Sequence, residues 1–132
     1  NVMGNPNNAV LTQRRYFANN IVVAAVDSAL GLNWTNSITK RQMDTDADVY
    51  LSFALMNQGK DLQFIYIERD QQKHILSRQS IDFSGNTNRF ATVKGNEPLV
   101  EFMPRRAKQI AAREIILPYT YLNHLGFAHL VF

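Results

Sequence analysis

Not one of the 132 residues is a cysteine. That absence removes disulfides, Cys-ligated zinc, iron–sulfur ligation and thiol nucleophiles together. It leaves the redox compartment open, because a cysteine-free chain suits cytosol and periplasm alike. Long apolar runs are also missing. The strongest, IVVAAVDSAL at 21–30, is interrupted by Asp27 and falls short of the roughly 20 residues that a bilayer-crossing helix needs. There is no G-x-G-x-x-G, no P-loop and no G-x-S-x-G elbow, so a nucleotide cofactor and a hydrolase serine both lack local support. His74 opens an apolar stretch by itself, and His124 and His129 stand five residues apart, a spacing that suits neither one helical turn nor one strand face. The reading is therefore non-enzymatic, without metal or cofactor. The opening NVMGNPNN shows neither an initiator Met at position 1 nor a basic-then-apolar leader, which suggests a mature or trimmed chain with a flexible tail over residues 1–8.

What is present is ordinary globular material: 45% hydrophobic and 19% charged residues, with a formal net charge of +3. A chain of this length buries a core without staples, so a single domain over 1–132 is expected. Residues 10–30 predict a helix. Ala18, Ile21, Val22, Ala25, Val26 and Ala29 recur at three- and four-residue spacing, and Gly31 stands where a C-cap belongs. Residues 32–48 are polar and irregular and read as loop, with Trp34 anchored over the edge of the core.

Strand signals follow. In VYLSFALM (49–56), Val49, Leu51, Phe53 and Leu55 alternate on the face expected to meet the core. LQFIYIE (62–68) and HILSRQSIDF (74–83) continue an antiparallel meander through the turns NQGK and RDQQK. SGNTNRFATVKGNEP (84–98) reads as a long exposed loop. A second helix is expected over 104–116, with Ala107, Ile110, Ala111 and Ile115 inward, and FAHLVF closes the chain as a short strand. The expected fold is α+β, a sheet of three or four antiparallel strands packed against two main helices.

Asp44, Asp46 and Asp48 alternate like the ligands of a calcium loop. Counted from Asp44, however, the sixth position is Val49 and the twelfth Leu55, where such a loop demands Gly and Glu. Two basic groups remain, Lys40 with Arg41, and Arg105, Arg106, Lys108 and Arg113 along the expected second helix. With Asn86, Asn88 and Arg89 of the long loop, the latter group forms the candidate interaction surface.

The run DADVYLSFALMNQGKDLQFIYIERDQQKHILSRQSIDF, followed by PRRAKQIAAREII, resembles the second half of the α/β domain at the amino terminus of TolB and in penicillin-binding-protein activators. The match covers residues 46–83 and 104–116, while the strand those domains place before their first helix has no counterpart in NVMGNPNN. The resemblance implies a lipoprotein-like domain of the bacterial cell envelope, periplasmic or associated with the outer membrane, that docks protein partners. The expected function is thus a protein-interaction or assembly module. The rival readings are a basic nucleic-acid-associated subunit of a viral or ribonucleoprotein particle, and a metal-dependent hydrolase built on Asp44, Asp46 and Asp48.

Overall fold

In a computed structural model, which describes residues 11–70, 73–91 and 99–132, the chain folds as β-strands almost throughout. In order these are β1 (Arg15–Phe17), β2 (Ile21–Val26), β3 (Leu32–Ile38), β4 (Met43–Thr45), β5 (Phe53–Asn57), β6 (Asp61–Asp70), β7 (Lys73–Asp82), β8 (Thr87–Arg89), β9 (Val100–Phe102), β10 (Lys108–Ala111), β11 (Glu114–Tyr121) and β12 (His124–Val131). The one helical piece among the described residues is a 3-10 turn at Pro104–Arg106. The expected tail at 1–8 and part of the expected 84–98 loop lie outside the described residues.

The α+β expectation with helices over 10–30 and 104–116 is overturned. IVVAAV satisfies two periods at once, and its β-branched residues favour the extended one. Ile21, Val23 and Ala25 turn inward while Val22, Ala24 and Val26 face out. Gly31 caps no helix; it closes the β2–β3 hairpin. The Asp27 carboxylate accepts from the N–H groups of Ala29 at 2.9 Å and Gly31 at 2.8 Å, and Leu30 takes the left-handed φ of 63°. In the second segment, Ala112 and Arg113 turn the chain between β10 and β11, and the run EIIL becomes a buried strand with Ile115 and Leu117 only 1% and 0% exposed.

Three layers result. The middle one is the antiparallel sheet β5-β6-β7-β8, whose first three strands are the expected meander. On one side lies the sheet β10-β11-β12. β9 pairs with the far half of β11, on the edge that β10 also uses, so β9 and β10 form one strand interrupted by the 3-10 turn. Ala54, Met56, Ile65, Ile67 and Leu76 pack there against Ile115 and Leu117. On the other side the β2–β3 hairpin covers Phe64, Tyr66 and Ile81 with Ile21, Ile38 and the flank of Trp34. Because both faces of β6 are covered, its apolar run has no polar alternation to show. Each fully buried aliphatic side chain contributes about 1.5–3 kcal/mol to holding the layers together.

The face expected to meet the core in the first meander strand is also corrected. That strand begins only at Phe53. Ala54 and Met56 are the fully inward residues, Phe53 turns to the hairpin side with its ring centroid 5.5 Å from that of Phe64, and Leu55 is 50% exposed. β5 is the outer strand of its sheet, and the hairpin does not reach far enough to cover Leu55.

Candidate functional site

The candidate basic surface is divided by the fold. Arg105 and Arg106 stand on the 3-10 turn beside Asp48, where Arg105 donates to the carboxylate at 2.5 Å. Lys108 is exposed on β10, which lies against β5. Arg113 is in the β10–β11 turn and closes on the end of the last strand, its Nε donating to the Phe132 carbonyl and its own carbonyl accepting from Phe132 N–H at 2.9 Å. Arg89, Asn86 and Asn88 sit on the β7–β8 hairpin, at the opposite edge of the middle sheet from β5. Arg89 is bound to Glu68 at 2.6 Å, and Asn86 is held by the Asp82 carboxylate. The structure thus brings Arg105 and Arg106 together and sets Asn86, Asn88 and Arg89 apart from them. The basic helix expected to carry this surface does not exist.

The aspartates serve turns. Asp46 sits in the left-handed region at φ 61°, accepting from Arg14 N–H at 2.9 Å and donating its own N–H to the Arg14 carbonyl at 2.8 Å, which pins β1 to β4. Asp44 accepts from Thr45 N–H, and Asp48 pairs with Arg105. Among the described residues no group of three or more His, Asp and Glu is placed to hold a metal ion.

Lys40 is not a surface charge at all. It is 4% exposed, and its ammonium donates to the Ala18 carbonyl and to Gln42 Oε1, both at 2.7 Å. Burial, with two neutral acceptors for company, pushes its pKa down to about 8. Gln42 is the hub beside it. Its carbonyl also accepts from Ser52 N–H and its amide donates to the Ile67 carbonyl, so one side chain joins three segments.

Sequence reasoning missed a cleft whose walls come from distant segments. Tyr50, His74 and Glu101 line both a small inner void of about 30 Å³, room for one water, and an outer space of about 440 Å³ bounded by Leu99, Thr120, Leu122 and Asn123. Tyr50 and Thr120 share a hydrogen bond across it at 3.3 Å. Arg69 Nε–H donates to His74 Nε2 at 3.0 Å, which places the imidazole proton on Nδ1, the nitrogen 3.6 Å from Glu101.

Among the exposed large apolar side chains, two strand faces each carry several. On the hairpin these are Val22, Val26, Leu30 and Leu32, exposed by 72%, 56%, 83% and 64%. On β12 they are Leu125, Phe127 and Val131. Asp27 is the sole charged residue between Ile21 and Ile38, and its carboxylate is already engaged in the hairpin turn. No family model, curated protein or solved structure matches the chain. No helix among the described residues is long and apolar enough to cross a membrane.

Proposed function

We propose that this chain is a non-enzymatic protein-interaction or assembly module that docks an apolar partner surface on the outer face of the β2–β3 hairpin. The observation that carries it is the row Val22, Val26, Leu30 and Leu32, set on a strand pair rigidly tied to the middle sheet. Trp34 Nε1 donates to the Phe83 carbonyl at 2.9 Å and Asn36 Nδ2 to the Gly85 carbonyl at 2.7 Å, so the hairpin is a fixed platform. Several exposed apolar side chains on one face of a preorganised element mark a contact surface. A nucleic-acid partner finds less support, because Arg105, Arg89 and Lys40 are each bound within the chain and the basic residues lie at opposite edges.

The cell-envelope setting belongs to the same proposal and rests on the resemblance of residues 46–83 alone, since the helix expected over 104–116 is replaced by a 3-10 turn and two strands. Fractionating the source cells and detecting the chain by antibody checks that setting. Docking itself is tested by placing a photoreactive amino acid at Leu30 or Val22 and irradiating cells. Cross-links to a protein are expected at both positions and not at Arg41, which is exposed and lies off the hairpin. An absence of protein adducts at both hairpin positions overturns the proposal.

A further inference from the structure

β12 is the outermost strand of the sheet β10-β11-β12, and among the described residues no strand pairs with its outer edge. Natural edge strands are guarded by inward charges, lysines, prolines or bulges. β12 has none of these: HLGFAHLV contains no Lys, Arg, Asp, Glu or Pro, and its register with β11 runs unbroken from Glu114↔Val131 to Tyr121↔His124. The same sheet's opposite side is closed, since Gln109 of β10 bonds to the backbone of β5. On β12, Leu125, Phe127 and Val131 share the outward face and are 63%, 65% and 67% exposed.

We infer that β12 pairs antiparallel with β12 of a second copy of this chain, about a two-fold axis normal to the sheet, joining two three-stranded sheets into one of six. The inference is independent of what docks on the hairpin. Such an axis keeps each face of the sheet on its own side, so paired positions differ by an even number. Placing Ala128 on the axis sets Leu125 against the second copy's Val131 and Phe127 against the second copy's His129. Every outward residue of β12 then meets an outward residue. Placing Phe127 on the axis instead leaves Val131 facing Asn123, which lies in the β11–β12 turn at φ 65°. The strand carries no Lys, Arg, Asp or Glu to be repelled by its own copy near the axis, and His129, one residue from the axis, is held by Glu114 of β11 at 2.8 Å. The seam is an eight-residue strand, roughly 27 Å long at about 3.4 Å per residue, and supplies backbone hydrogen bonds that side-chain contacts alone would not.

Sedimentation of the purified chain, loaded from micromolar to millimolar, should show monomers of 15.1 kDa combining into dimers. Phe127→Lys should raise the dimer dissociation constant by about a hundredfold or more, since each dimer loses two anchors. Its side chain is largely in solvent, so the variant should keep the wild-type far-ultraviolet spectrum. The cysteine-free background supplies a second readout. Ala128→Cys should oxidise to a covalent dimer, because residues paired on the axis have Cβ atoms about 4.5–5.5 Å apart, within backbone adjustment of disulfide geometry. Val22→Cys on the hairpin should not. A chain that stays monomeric at the highest loading overturns the inference. So does a dimer that ignores Phe127→Lys and fails to cross-link through Ala128→Cys. A monomer that still cross-links a partner from Leu30 sinks only the β12 pairing, leaving hairpin docking intact.

Discussion

The side-chain amide of Gln109 hydrogen-bonds both backbone groups of Asn57: Oε1 accepts from its N–H at 2.9 Å and Nε2 donates to its carbonyl at 2.8 Å. A single side chain thus imitates the next strand at the end of β5 and stitches two layers together where no ladder joins them. Gln109→Ala removes both bonds, together with a third from Nε2 to the Ala111 carbonyl at 3.0 Å, and leaves the amide of Asn57 to water. With a net value of about 0.5–1.5 kcal/mol for each bond to Asn57, urea denaturation should report a loss of roughly 1–3 kcal/mol from these two.

The corrected face of β5 yields a paired test. Met56 is wholly buried between the layers while its neighbour Leu55 is half in solvent. Met56→Ala should cost about 2–5 kcal/mol, and Leu55→Ala should stay within about 1 kcal/mol. Thermal melts of the two variants with the ranking reversed would show that the strand presents its other face to the core.

How much of this was legible in the sequence depended on whether one periodicity stood alone. HILSRQSIDF lies between the turn signals RDQQK and SGN, and the Gly59 turn before β6 is a hairpin signal, so β6 and β7 could be placed; Gly59 indeed takes φ 85°. IVVAAV satisfies both periods; its β-branched residues lean towards the strand, and the turn chemistry of Asp27 and Gly31, followed by the alternation of Trp34, Asn36 and Ile38, points the same way. The cleft was invisible for another reason. Tyr50, His74, Glu101 and Thr120 come from four separated segments, and no local spacing encodes their meeting. Nor does anything local announce that Lys40 points inward while Arg41 points out.

Lys40 gives a pH signature. Its folded pKa of about 8 lies below the ordinary lysine value, so between about pH 8 and 10.4 the unfolded chain holds more protons than the folded one, and stability rises with pH through that window. Below it the cost of burying the charged amine is fully present. Wild-type stability measured against Lys40→Met should therefore improve on going from about pH 7 to about pH 10. Referring each wild-type value to the variant at the same pH cancels Tyr66, whose pKa is raised chiefly by burial and then by Glu68, and which acts in the opposite direction. A flat difference would mean that water reaches the amine.

Gly85 lies under the indole of Trp34 at φ 85°, and a Cβ there would stand 2.8 Å from Trp34 Cδ2. Gly85→Ala is strained both by its backbone and by that approach, and should destabilise by about 1–3 kcal/mol. Trp34 is the only tryptophan, so its emission reads the hairpin's seat directly. A red shift at temperatures well below the unfolding midpoint is expected; an unshifted spectrum would mean that the indole does not rest on this turn.

Burial of β6 on both faces has a consequence for how the chain finds its fold. A strand covered on one side rejects a one-residue slip, because the slip would turn its apolar set toward water. Phe64, Ile65, Tyr66 and Ile67 are apolar in either orientation, so hydrophobicity alone is degenerate between neighbouring alignments. Discrimination falls to the few buried polar groups that must find partners: Gln63, which is donated to by Arg78 and donates to Asp61, Ser77 with Glu68, and the Ile67 carbonyl claimed by Gln42. Misaligned sheets would be nearly as well collapsed as the correct one and distinguishable only late, when these bonds fail to form. Polar side chains at the centre of the sandwich thereby act as proofreading, and their loss would show first in slow, heterogeneous refolding.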